Sequence, residues 1–249
     1  MAEFGAKHPC FKRNDAAAGI IIGKLVAANL TVNLATGEMF ADDELAEQVS
    51  EFASGSLAMQ TDDLEDYKNA EIYGCEVQDG LVISRSGDSA PLGCVAYYKS
   101  LMRNGVKLYR AYYYDKVRAA IGNDNAQTKG SSITFQPTNT TFTIFAGNDN
   151  RWREFKTFDN EAAAIAWCES KTGVAEWHEI KILTCGAGTG EGVDHEGSIF
   201  IADGEDVAIA IDGTVTKLYD NGEDKTSDIA EGVYTIADVA EAHNIAVIF

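Results

Sequence analysis

Asn104-Gly105 separates two long runs rich in Tyr and Val, residues 93–103 and 106–118. Asn-Gly suits a two-residue type I′ turn, because both central residues need positive φ. The runs are therefore expected to pair as a hairpin, with Tyr97 opposite Tyr112 and Leu101 near Leu108. Val95, Tyr97, Lys99 and Leu101 then share a face with Leu108, Arg110, Tyr112 and Tyr114. Cys94, Ala96, Tyr98 and Met102 share the other face with Lys107, Tyr109, Ala111 and Tyr113. Both faces carry large rings, so both should be covered.

Around this hairpin most of the chain reads as strand. Residues 19–34, 48–59, 76–84 and 131–145 are further candidates, the last because Ile133, Phe135, Phe142 and Ile144 alternate with Thr and Ser. Two short helices interrupt. Asp62 and Glu65 have the spacing of a capping box, with Gly74 as the stop. Asp159 is placed to cap a second helix carrying Ala162, Ile165, Ala166 and Cys168, with Gly173 closing it. Residues 198–202, 207–211, 214–219, 233–236 and 244–249 are short apolar-alternating runs between Asp-Gly and Asn-Gly turns. That spacing suggests a small β-sandwich. The expected fold is mainly β in two parts.

Charge marks the division. Residues 179–249 hold 15 of the 39 acids but only three of the 20 Lys and Arg. The boundary is placed near residues 173–179, giving domains 1–175 and 179–249. The chain as a whole has a formal charge of −19. Such acidity argues against gripping nucleic acid by phosphate neutralisation, or resting on an anionic membrane. The most apolar stretch, residues 16–30, is broken by Lys24 and is shorter than the ~20 residues of a membrane span. The first ten residues lack a basic segment followed by an apolar run, so no signal peptide is expected. Cys10, Cys75, Cys94, Cys168 and Cys185 are odd in number and scattered, which reads as free thiols in a reducing compartment.

Catalytic and metal patterns are not met. His8, His178, His195 and His243 stand at no zinc-ligand spacing. The glycines of residues 185–192 fail the dinucleotide fingerprint at Glu191, and no Walker Lys-Ser/Thr follows. Residues 220–224, Asp-Asn-Gly-Glu-Asp, lack the EF-hand spacing and its closing Glu. No nucleophile elbow occurs. The residues thus point to a non-enzymatic β protein with no cofactor.

A series of stretches suggests a role. Phe40-Ala-Asp-Asp-Glu-Leu-Ala-Glu47 is followed by Glu51-Phe52, Gly55-Ser-Leu57 and Thr61-Asp-Asp-Leu64. Then come Tyr97, Asn104-Gly-Val-Lys-Leu-Tyr-Arg110, Thr128-Lys-Gly130, Ile133-Thr-Phe-Gln136 and Trp152-Arg-Glu-Phe-Lys-Thr-Phe-Asp159. In this order they resemble the major tail proteins of bacteriophages with long non-contractile tails, over about residues 1–175. One departure is Gln136-Pro-Thr-Asn-Thr-Thr, which lacks the small-residue turn usual there. Residues 179–249 resemble the immunoglobulin-like domains decorating some phage tails, through Gly232-Val-Tyr-Thr-Ile236 and Ala242-His-Asn-Ile-Ala-Val-Ile-Phe249.

The resemblance implies a tail-tube domain, a β-sandwich whose strands join a barrel, followed by an immunoglobulin-like sandwich. It also implies hexameric rings of this chain stacked into a virion tail tube, made in the host bacterial cytoplasm. Genomic DNA would pass through without specific binding. Tape-measure and tail terminator proteins would be further partners, and no membrane would be involved. The acids Asp42, Asp43, Glu44, Glu47 and Glu51, mixed with Phe40, Leu45, Val49 and Phe52, are expected on a loop or hairpin arm reaching a neighbouring subunit or ring. Arg103, Arg110, Lys116 and Arg118 are the candidate partners. A plain solvated acidic loop is the competing reading. Two other classes compete with the tube: an adhesin whose C-terminal sandwich binds host glycans, and a β-barrel enzyme.

Overall fold

A computed structural model describes residues 2–41, 44–78, 81–121, 128, 136–147, 149–188 and 190–249. Among the described residues strand makes up 58% and helix 10%, so the fold is mainly β. The elements are β1 (Ala2–Arg13), β2 (Ile20–Ile21), β3 (Leu25–Ala41), β4 (Glu44–Thr61), α1 (Asp66–Tyr73), β5 (Glu76–Gln78) and β6 (Leu81–Ile83). Next come β7 (Leu92–Arg103), β8 (Val106–Ala120), β9 (Thr138–Ile144), β10 (Glu154–Phe158) and α2 (Glu161–Thr172). The last are β11 (Trp177–Cys185), β12 (Gly192–Val193), β13 (Gly197–Ala202), β14 (Val207–Asp212), β15 (Lys217–Asp220), β16 (Glu223–Asp224), β17 (Val233–Ile236) and β18 (His243–Ile248). They form two compact units, Met1–Gly74 with Ser86–Val174, and Cys75–Arg85 with Ala175–Phe249.

The first unit is built on one antiparallel sheet in the order β2-β1-β7-β8-β9-β4-β3, with β10 also paired to β8. The β7–β8 hairpin has the expected register, Tyr97 opposite Tyr112 and Leu101 opposite Leu108. Asn104 and Gly105 turn with φ of 50° and 77°. Both faces are covered. On one, Cys94, Ala96, Tyr98, Ala111 and Tyr113 pack with Ala164 and Cys168 of α2. On the other, Val95, Tyr97 and Tyr114 are buried with Phe11 of β1, Leu57 of β4 and Phe142 of β9. Gly93 permits this packing: a Cβ there would lie 2.8 Å from the Phe11 ring and 2.3 Å from the Lys12 carbonyl oxygen.

Several local expectations need correcting. Asp62 does not cap α1: its Oδ1 accepts the N–H groups of Lys24 and Asp63, closing the base of the β3–β4 ladder. The N-cap position belongs to Glu65, whose side chain makes no capping bond. The cap of α2 is Asn160 rather than Asp159; its Oδ1 accepts the Ala163 N–H at 2.8 Å. Gly74 and Gly173 do end the helices, both left-handed. The run 19–34 divides into β2 and the start of β3, and the run 76–84 is a hairpin of two short strands. Of the run 131–145, residues 131–135 lie outside the described residues, and β9 occupies Thr138–Ile144.

The second unit packs the sheet β13-β11-β18-β15-β16 against β12-β14-β17. Ile180, Ile182, Leu218, Ile245 and Val247 of the first sheet share a core with Val207, Ile209, Ile211, Tyr234 and Ile236 of the second. The period-2 alternation of these runs supplies that inner face. The terminal strand β18 runs parallel to β11, with Ile182 opposite Ile245, while the other pairs are antiparallel.

Candidate assembly surface

The β3–β4 ladder runs from Leu25 opposite Thr61 to Ala41 opposite Glu44. β4 has a second partner, β9, only over Gly55–Thr61. Beyond Gly55 the ladder is therefore a two-stranded arm. The nine residues of β3 from 33 to 41 give it a reach of roughly 30 Å at ~3.4 Å per residue. Three of its apolar side chains are uncovered: Leu34 is 55% exposed, Met39 54% and Val49 56%. The outer edge of β3 is hydrogen-bonded to no strand among the described residues, although β3 comes close to β1. An isolated two-stranded ribbon is marginal in water, and a long free edge is a template for another strand.

Of the five acids expected here, Asp42 and Asp43 lie outside the described residues. Glu44 stands opposite Ala41, Glu47 opposite Met39, and Glu51 opposite Ala35. Glu47 and Glu51 are exposed and form no ion pair with any described residue. Arg103 is exposed beside the β7–β8 turn, opposite Val106, and Arg118 is exposed on β8, where Lys116 is half-buried. Neither Glu47 nor Glu51 meets any of these bases. Arg110 is committed elsewhere. Its guanidinium bonds Glu3 at 3.3 Å and Thr157 Oγ1 at 3.2 Å, and covers the Phe155 ring at 5.4 Å.

The sequence reading missed the ring system at the arm's root. Phe52 stacks on Trp152 with centroids 4.4 Å apart and planes 4° from parallel. The Arg153 guanidinium lies 4.6 Å from the Trp152 centroid and 5.6 Å from that of Phe155. The alternation Trp-Arg-Glu-Phe at 152–155 was the available signal, since it places rings and cations side by side.

Other polar clusters are bonded within the chain. In the second unit Asp220 is buried, accepts the Tyr234 hydroxyl at 2.9 Å, and lies 2.8 Å from His243 Nδ1. Burial and the adjacent Asp220 push the Tyr234 phenol above its ordinary value. Among the described residues no Ser or Cys is bonded to this trio. In the 185–192 loop Glu191 Oε2 accepts the Gly188 N–H at 2.7 Å, so the loop's own carboxylate occupies a donor that a phosphate would need. In the 220–224 turn, Asp224 pairs with Lys217 and Thr226, and the Lys217 bond holds its carboxyl low. Among the described residues no group of three His, Cys, Asp or Glu is placed to hold a metal ion. No helix among them is long and apolar enough to cross a membrane. No family model matches this chain, and no curated protein matches it.

Proposed function

We propose that this chain is a structural subunit that polymerises through its first unit, as the tail-tube protein of a bacteriophage with a long non-contractile tail. The observation that carries this reading is the β3–β4 arm. It leaves the sheet with exposed Leu34, Met39 and Val49, an unpaired edge, and two acids without partners. In a monomer each of these is a liability; against a second copy each becomes a contact. A head-to-tail contact of this kind closes into rings laterally and stacks openly along an axis. Six copies per ring, the tape-measure and terminator partners and the place in the virion come from the sequence resemblance. The charge of −19 suits a conduit along which DNA slides without sticking. The second unit then serves as decoration on the outside, where mutual repulsion keeps filaments apart. The adhesin reading requires exposed rings on that unit, but Tyr234 is buried and Phe200, Tyr219 and Phe249 are half-buried. Negative-stain electron microscopy of the purified full chain tests the proposal. Rings or tubes of uniform width are expected, and discrete monomers across a wide concentration range would overturn it.

A further inference from the structure

An arm of this length needs a fixed direction if it is to meet a partner, and a two-stranded ribbon twists and bends on its own. Among the described residues, the Phe52–Trp152 stack is the one ring contact, hydrogen bond or ion pair that carries a side chain of residues 34–53 to the rest of the chain. The other side-chain bond in that segment, Gln48 Nε2 to Glu38 Oε1, stays inside the arm.

The Trp152 platform is itself held. The Gly147 N–H donates to the Arg151 carbonyl at 2.7 Å, and the Asn150 N–H donates to the Gly147 carbonyl at 3.1 Å. Gly147 suits this close turn, because a Cβ would lie 2.6 Å from Asp115 Oδ2 and 3.0 Å from the Arg151 carbonyl oxygen. Arg151 bonds Glu154 at 2.7 Å, and Glu154 accepts Lys171 of α2 at 2.7 Å. On its other side, Arg153 and Arg110 both lie over the Phe155 ring, and the Tyr112 ring is 6.0 Å from it. Rings and guanidinium groups thus run in series from Phe52 to the middle of β8. Stacked rings and cation–π pairs prefer particular geometries, so such a series transmits orientation.

We infer that Trp152 is the positioning residue of the arm: its stack with Phe52 fixes the direction in which residues 34–53 leave the sheet. Fixing that direction before contact lowers the ordering cost of assembly. The orientation stands on geometry alone, and only its consequence for assembly rests on the tail-tube reading.

The test compares the full chain with Trp152→Ala and Trp152→Phe. Spin labels are carried on p-acetylphenylalanine at Glu47 and Lys107, both exposed, which leaves the five native cysteines untouched. Labelled chain is diluted with unlabelled chain, so that double electron–electron resonance reads distances within one copy. One narrow distance is expected in the full chain, its loss in Trp152→Ala, and its return in Trp152→Phe, with the circular dichroism of all three alike. A narrow, unchanged distance in Trp152→Ala would overturn the inference. So would loss of the distance together with the native circular dichroism in both variants. Where the distance behaves as expected, the concentration needed for assembly should rise about tenfold in Trp152→Ala, as an unfixed arm samples competent directions less often. A change in distance with no change in assembly would leave the positioning role standing and count against the tail-tube reading.

Discussion

The rings of Phe11 and Phe142 stack with centroids 5.5 Å apart, although β7 and β8 lie between their strands in the sheet. Three strand spacings of a flat sheet would separate them by about 14 Å. The sheet therefore curls until β1 and β9 meet across its concave side, and both rings are fully buried there. Phe142→Ala should cost ~3–5 kcal/mol by opening a cavity in that curl. Phe4→Ala, at a side chain 48% exposed, should change stability by less than ~1 kcal/mol. Denaturant unfolding of both variants measures the contrast, and similar losses would mean that the curl is not what holds the first unit.

The Asp220 carboxylate serves two partners in the core of the second unit. Asp220→Ala leaves the buried Tyr234 and the half-buried His243 without their acceptor and should cost ~2–3 kcal/mol. Tyr234→Phe removes one hydrogen bond and should cost ~1 kcal/mol. Thermal unfolding would contradict this account if Tyr234→Phe proved the more damaging of the two.

Thiol chemistry separates the cysteines. Cys10, Cys94 and Cys168 are buried together where α2 packs on the sheet, and burial pushes all three thiols up, Cys168 to about 12. Cys185 is exposed and Cys75 half-buried. Iodoacetamide at about pH 8 should modify Cys185 and Cys75 in the folded chain, and all five cysteines only after unfolding. The folded state holds these thiol protons more tightly than the unfolded state, where the ordinary value is 9.0. Their contribution is thus fully present below pH 9.0 and is lost as pH rises from there towards 12. The raised phenols of Tyr97, Tyr98, Tyr113 and Tyr114 act in the same direction. A denaturation midpoint that stays flat from about pH 8 to 11 would contradict this linkage.

What could be read from the residues follows from how local each signal is. The β7–β8 hairpin was legible from its turn outward, because Asn104-Gly105 sets the register as far as Val95 opposite Tyr114; the bulge between Gly93 and Val95 and the last two residues of β8 were not. Residues 44–51 were legible as part of an arm or loop, but the extent of the ladder was not, since Ala, Asn, Thr and Gly give β3 little alternation. β1 was missed because Gly5 and His8, with φ of 59° and 58°, break its period at two register shifts. β10 was quoted for its motif and not read as a strand. Phe52 and Trp152 are distant in sequence, and nothing local links them. Segment Cys75–Arg85 belongs to the second unit without any change in composition to mark it, because that assignment rests on long-range contacts alone.

That segment bears on truncation. A chain ending at Val174 keeps β5 and β6 but loses β13, against which β5 lies. Limited proteolysis should cut such a chain within residues 75–85. Replacing those residues by a short Gly-Ser linker should yield a protease-resistant first unit that still assembles. If the linker variant stays unfolded, the first unit is not independent of the second.

The arm is the centre of the account, and sedimentation velocity of the full chain beside a variant lacking residues 41–49 tests it most directly. The account predicts large, concentration-dependent assemblies for the full chain. For the variant it predicts a monomer whose circular dichroism and melting stay close to those of the intact sheet, because β9 holds β4 only over Gly55–Thr61. Assemblies of equal size from both chains would contradict it.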